Sequence, residues 1–358
     1  MSGDIHAAHL VRRLRERIPD ARILAFAGDE CREAGAELLF HYRDYAVLGV
    51  TGVLANIPHF YRLERALKRS IDGGVDLFIP VDYPGLNLRL AAHARRRGVP
   101  VLYYIGPQVW AWGTGRLDKI ARTVDRMALI LPFEEPLYRE HGVEAEFVGH
   151  PFVVDHELPD PLPDGERAGV GLLPGSRVQE VRRILPPLLE AQKRMLAADP
   201  GLRFTIGRSS AVPASLYQRI ISDAGVEVDL DDDAVSVMRR SRVLAVASGT
   251  ATLQAALLET PLVIVYRASA LNFFLGRRLV KIPYIGLANV VLGEKVCPEF
   301  LQADASAGKI APAMLEILAH GGPRDAMVER FKDLRQVLSG GGGCGRVADV
   351  AAELLEGG

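Results

Sequence analysis

Cysteine is scarce in this chain. Cys31, Cys297 and Cys344 are the whole supply among 358 residues, and none stands at metal-ligand spacing from another. That argues against a disulfide framework and a cysteine zinc site, and reads as reduced thiols in a cytosolic protein. An excess of charge of one sign is missing too: 43 Lys and Arg oppose 44 Asp and Glu, for a net charge of −1. A balanced chain has no bulk attraction for nucleic acid. No apolar run approaches the roughly 18 residues of a membrane span, and no stretch reads as a signal peptide. Any membrane contact is therefore expected to be peripheral. Tryptophan is rarest of all, with Trp110 and Trp112 the only two. The overall balance, 49% hydrophobic and 24% charged, suits a globular protein long enough for two domains.

What is present is alternation. "RILAFAG", "DLFIPVD", "VLYYIG", "RMALILP" and "AEFVGH" read as buried strands, with amphipathic stretches such as "AHLVRRLRERI" and "LNLRLAAHARRRG" before or between them. The pattern resumes with "GVGLLPG", "LRFTIG", "RVLAVASG" and "TPLVIVYR" after a Pro- and Asp-rich linker that follows His150. Such alternation predicts parallel sheets covered by helices, hence two doubly wound α/β domains facing a cleft. The expected divisions are 1–160, 161–335, and a closing segment 336–358. In that segment "LSGGGGCGR" reads as flexible and "VADVAAELLEGG" as a short helix.

Open α/β sheets bind ligands at the carboxyl ends of their strands, so the residues just past each run are the candidates. Asp82 follows "LFIPV". "YYIGPQVWAWGTGR", a bulky loop broken by Gly and Pro, carries both tryptophans. His150 follows "EFVG". In "LLPGSRVQEV", a glycine turn at Gly175, then Ser176 and Arg177, leads into a helix. Backbone N–H groups and a guanidinium in that order suit a phosphate, and a capping box is compatible with the same residues. "ASGTATLQAA" repeats the logic through Ser248, Gly249 and Thr250, with Gln254 one turn further on the same side.

Other motifs point nowhere in particular. The Gly169–Gly171 and Gly175 spacing does not fit a dinucleotide fingerprint. "DLDDDA", Asp229 to Ala234, reads as a helix start rather than a metal site. His6 and His9 lie on an ordinary helix face. No cofactor and no metal is expected. Between Ala46 and Ser70, Val50, Val53, Leu54, Ile57, Phe60 and Tyr61 recur at helical spacing, and Arg62, Arg65, Lys68 and Arg69 follow. Apolar bulk beside cations suits an interfacial helix, and equally a core-facing helix with a solvated basic end.

Taken in order, "VDYPGLNLRLA", "YYIGPQVWAW", "LPFEEPLY", "FVGHP", "LLPGSRVQEV", "ASGTATLQ" and "PYIGLANVVLGEKVCPEFLQ" resemble the lipid-A-disaccharide synthase family of GT-B-type glycosyltransferases. These stretches span nearly the whole chain, and the combination is highly specific. The resemblance implies condensation of UDP-2,3-diacylglucosamine with 2,3-diacylglucosamine 1-phosphate, releasing UDP. It implies Asp82 as the base, and Arg177 with the Ser248–Thr250 turn as the UDP site. It also implies Asn289 near the cleft, and a metal-free reaction. Ser2, Gly3, Asp4, Trp110 and His150 then fall on the acceptor side. The Val50–Tyr61 patch becomes a docking surface on the inner membrane. A homo-oligomer is compatible with it.

Two features depart from the family pattern. Members open with an apolar strand running into Gly-Glu-x-Ser-Gly-Asp, and here only Ser2, Gly3 and Asp4 match its end. The expectation is an upstream segment of about ten mostly apolar residues ending in Gly-Glu, or else an impaired truncation. Gln254 stands where the family usually has Glu. An amide offers one acceptor oxygen to the two ribose hydroxyls, which predicts weaker UDP binding. An inactive paralogue that binds UDP-sugar or lipid, or another UDP-sugar transferase or epimerase of the same fold, is the competing expectation.

Overall fold

The computed structural model describes residues 2–46, 57–112, 114–269, 283–319 and 321–357. The chain divides into two compact units. One holds residues 1–155 together with 338–358, and the other holds 156–337.

The second unit is built on a six-stranded sheet whose paired neighbours are all parallel. Its strands are β6 (Val170–Leu173), β7 (Phe204–Gly207), β8 (Asp229–Asp231), β9 (Val243–Ala247), β10 (Leu262–Tyr266) and β11 (Glu299–Leu301). They run in the order β11-β10-β9-β6-β7-β8. The central strands β6 and β9 are buried at every position, which is why their sequences are continuous apolar runs rather than alternating ones. Helices Val178–Ala198 and Ala307–Leu318 pack together and against β9, while Ala234–Arg240 packs on β6 and β7. The linker is fastened by Arg167, a buried guanidinium that donates to the carbonyls of Leu162, Leu258 and Arg239 and to Thr260.

In the first unit, β1 (Leu24–Ala27) pairs in parallel with β2 (Glu37–His41). Separately, β3 (Leu102–Tyr104), β4 (Arg126–Leu129) and β5 (Glu144–Phe147) form a parallel three-stranded sheet. "DLFIPVD", expected as a strand, joins β3 only through bridges at Phe78–Val101 and Val81–Tyr104. Pro80 lies between them and has no N–H to give, although its carbonyl accepts from Tyr104 N. Side chains still alternate as in a strand. Phe78 packs in one apolar cluster with Tyr103, while Leu77, Ile79 and Val81 pack in another with Leu102 and Tyr104.

The glycine run is not the flexible segment its composition suggests. Gly343 N donates to the Val148 carbonyl and His150 N to that of Leu338, at 2.7 and 3.0 Å. Gly341 has a φ of 84°, and a Cβ on it would overlap the Phe147 carbonyl and the Val148 backbone. The glycines let two backbones touch. They deliver the helix Gly343–Glu356 to the first unit, where Cys344, Val347, Ala348, Val350 and Ala351 pack with Leu102, Tyr104 and Val148.

The helix Ile57–Asp72 turns Leu63, Leu67 and Ile71 into the core. Tyr61, Arg62, Arg65 and Arg69 face solvent, and Phe60 is half-buried. Val50, Val53 and Leu54 lie outside the described residues, as does the side chain of Ile57. No helix among the described residues is long and apolar enough to cross a membrane.

Candidate active site

Asp82 and Tyr83 follow the Phe78–Val81 segment, and both are exposed. They have φ values of 49° and 44°, a left-handed pair with no glycine in it. Such residues cost on the order of 1 kcal/mol or more each and persist only where the surroundings enforce them. Here the enforcement is visible. Asp82 N donates to the Tyr104 carbonyl at 3.1 Å, and the Asp82 carbonyl accepts from Tyr103 Oη and Asn87 Nδ2, each at 2.7 Å. The Asp82 carboxylate makes no hydrogen bond or ion pair with any described residue. Burial, and then the Asp82 charge, push the Tyr103 phenol up, so Tyr103 stays a donor.

The tryptophan loop begins where β3 ends, at Ile105, a third non-glycine residue with positive φ. Trp110 Nε1 donates to Glu134 Oε1 at 2.8 Å, and its ring meets Phe133 edge-on at 5.1 Å. Tyr138 Oη donates to the Pro107 carbonyl at 2.6 Å. Glu134 is 1% exposed, and burial raises its pKa to about 8 against the opposing bonds from Trp110 and the Leu131 backbone. It is a neutral acid at pH 7, holding the loop from beneath.

The other acceptor-side candidates lie among groups of the first unit. His150 is buried. Its Nδ1 accepts from Phe152 N at 3.2 Å, capping the short helix Pro151–Val154. Burial, and then the nearby His6, lower its pKa to about 3, so the ring is neutral and is no proton carrier near pH 7. Asp4 in the helix Ser2–Arg17 accepts from Gly28 N at 2.7 Å and Glu30 N at 3.3 Å, tying that helix to the start of the next. Gly3 has open space around it. Ser2 begins the first helix.

In the second unit, Gly175 (φ 109°), Ser176 and Arg177 form the turn between β6 and the helix Val178–Ala198. Glu180 completes a capping box. Its carboxylate accepts from Ser176 N at 3.0 Å and Arg177 N at 3.3 Å, and pairs with the Arg177 guanidinium at 2.6 Å. The Arg177 side chain is 80% exposed, so this pair contributes at most ~1 kcal/mol and leaves the guanidinium available. After β9, Gly249 and Thr250 are exposed and Gln254 is half-buried. Ser248 Oγ donates to the Ile285 carbonyl at 2.9 Å, and Leu287 N donates to Thr252 Oγ1.

Asn289 differs from the expected cleft residue. It is fully buried, with Nδ2 donating to the Cys297 carbonyl and Glu299 Oε1 and Oδ1 accepting from Cys297 N, at 2.8–2.9 Å. Its amide is spent inside the fold. Glu299 Oε1 also accepts from Ile285 N and Gly286 N, so Asn289 braces the turn that Ser248 leans on.

A family model described as lipid-A-disaccharide synthetase matches residues 1–339. The chain belongs to that family. It is 39% identical to the lipid-A-disaccharide synthase of Myxococcus xanthus over 364 residues, covering 99% of this chain and 95% of that one. Against the Trichlorobacter lovleyi enzyme the figures are 40% over 365 residues, with coverage of 99% and 95%. The crystal structure of the calicheamicin glycosyltransferase CalG4 shares the fold, with a TM-score of 0.60 at 16% identity and coverage of 98% and 94%. The lipid-A-disaccharide synthase fold is thus two Rossmann-like units of the GT-B type, and the activity is a glycosyl transfer that makes the lipid A disaccharide.

Sequence reasoning singled out strand-end residues and missed the groups that hold them. Tyr103 and Asn87 were hidden inside a strand and a helix. Glu134 sits beside Glu135 in "LPFEEPLY", and only burial tells them apart. Glu135 is half-exposed and pairs with Arg139.

Proposed function

We propose that the enzyme condenses UDP-2,3-diacylglucosamine with 2,3-diacylglucosamine 1-phosphate, inverting at the anomeric carbon. Asp82 takes the proton of the acceptor 6-hydroxyl as that oxygen bonds to C1 of the donor sugar. The bond from C1 to the diphosphate breaks, and its electron pair leaves with UDP. The Arg177 guanidinium and the Ser248–Thr250 turn receive the diphosphate, with Gln254 reaching the ribose. The observation that carries this reading is Asp82 itself: a solvent-facing carboxylate without a partner among the described residues, on a backbone held in a strained conformation. Trp110 and its loop shape the acceptor side.

Both substrates carry acyl chains, which supports work at the inner-membrane surface. Tyr61, 69% exposed, and the exposed Arg62, Arg65 and Arg69 would meet anionic lipid there, beside the Val50–Ile57 stretch. Residues 1–155 form the acceptor-side unit and 156–337 the nucleotide-side unit in this reading.

The deciding experiment compares Asp82→Asn with Arg177→Ala, measuring initial rate and UDP affinity for each. Asp82→Asn is expected to lose about 10²–10⁴ in rate with UDP affinity kept. Arg177→Ala should weaken UDP binding and slow transfer together. A folded Asp82→Asn enzyme with near-normal rate would remove Asp82 from the base role.

A further inference from the structure

The hydrogen bonds around Asp82 serve its backbone and leave its carboxylate alone. Three of the six described non-glycine residues with positive φ are Asp82, Tyr83 and Ile105, gathered at the ends of two neighbouring extended segments. A chain free to choose would put glycine or asparagine at such positions. The strained pair instead carries an acid and an exposed aromatic ring, and it is locked by groups from two other elements. Tyr103 lies in the middle of β3 with its ring wholly buried in the core, so its hydroxyl is fixed from below. Asn87 lies in the first turn and a half of the helix Pro84–Arg96. Its amide nitrogen donates to the carbonyls of both Val81 (3.2 Å) and Asp82 (2.7 Å). With the Asp82 N–H held by Tyr104, the peptide groups on both sides of the Asp82 Cα are fixed. The direction of its side chain is then fixed to within its own rotation.

We propose that Tyr103, with Asn87, is a positioning residue for Asp82: the two hold its carbonyl so that the carboxylate stands where the acceptor hydroxyl arrives. This rests on the reading of Asp82 as the base. The Tyr103 hydroxyl touches no substrate and moves no proton. Its whole effect on the rate passes through Asp82. A Phe in its place keeps the ring packing and loses only the donor, leaving the carbonyl to Asn87 alone. The strained turn then relaxes, and a displacement of about 1 Å in a reacting group can cost on the order of 10²-fold in rate.

The test is a double-variant cycle on the full-length enzyme with both lipid substrates. Tyr103→Phe is expected to lower kcat about 10- to 100-fold, with UDP affinity and melting temperature near those of the parent. In the Asp82→Asn background, assayed at high enzyme concentration, the same change is expected to cost nothing further. Asn87→Leu, a surface-helix substitution that removes the other donor, should repeat the pattern. If Asp82→Asn is slow but Tyr103→Phe and Asn87→Leu turn over normally, the positioning role is overturned and the base survives. If Tyr103→Phe slows both backgrounds by the same factor, the hydroxyl acts by another route and the proposal is again overturned. A fast Asp82→Asn enzyme would bring down the base assignment instead, a result the single variants at 103 and 87 cannot mimic. Should Tyr103→Phe fail to fold, Asn87→Leu alone carries the cycle.

Discussion

Glu134 is a buried carboxyl with no cation beside it among the described residues. In the unfolded chain it ionises near 4.5, and in the fold near 8. Between those values the unfolded state gives up a proton that the folded state keeps. Stability contributed by this group is therefore complete below pH 4.5. It falls by about 1.4 kcal/mol per pH unit as the pH rises, and levels off above the folded value. Glu134→Gln cannot ionise and keeps an acceptor for Trp110. The melting temperature of that variant relative to the parent should climb steadily from pH 5 to pH 8, and a constant difference would contradict the neutral acid. Tyr83 makes a second case. A glycine accepts a φ of 44° without penalty. Tyr83→Gly should then raise stability by on the order of 1 kcal/mol where φ strain dominates, while a loss of stability in thermal melts would show that the exposed ring packs more than its 58% exposure implies. The positions of Asp82 and Arg177 past their strands were legible because strand ends and family motifs announce them. Glu134, Tyr103 and Asn289 were not, because their roles follow from burial, which only the assembled core creates.

At the scale of elements, the expected strands announced themselves through uninterrupted apolar runs, and β6 and β9 are covered on both faces, whereas β8, Asp229–Asp231, is a largely exposed strand in the stretch that read as a helix start. "DLFIPVD" was the harder case. Its side chains alternate as a strand requires, but Pro80 breaks the ladder, and the outcome depends on how much pairing the neighbour restores. The glycine run misled for a plain reason. Composition alone does not distinguish glycines that let a chain move from glycines that let it come close. Here the second holds. Gly341→Ala forces a Cβ against the Phe147 carbonyl at a positive φ. The expected cost is about 1–3 kcal/mol. Thermal melts should show it, whereas Gly345→Ala, with open space around its Cβ position and a place inside the helix Gly343–Glu356, should be neutral or slightly stabilising. Equal melting temperatures for the two variants would mean that the close approach is relieved at little cost.

For the whole molecule, two α/β units were legible from the repeated alternation, and the return of the last helix to the first unit was not, since nothing in its amphipathic pattern names its partner. Membrane association belongs at this scale. Replacing Val50, Val53, Leu54 and Ile57 with Ser should release the enzyme from anionic liposomes in flotation while leaving its melting temperature in place. A collapse in melting temperature would assign those side chains to the core, where each contributes roughly 1.5–3 kcal/mol. The returning helix has a consequence of its own. Val347, Val350 and their neighbours complete the packing beneath β3 and β4, and they come after the whole second unit in chain order. The first unit therefore closes only after all of the second, residues 156–337, has been synthesised. A chain ended between residue 337 and the helix Gly343–Glu356 would carry a complete second unit and an open apolar seam in the first. Synthesis of that helix is in effect read out as closure of the seam, and a chain ended before it would present itself to proteases and chaperones at the unit that carries Asp82.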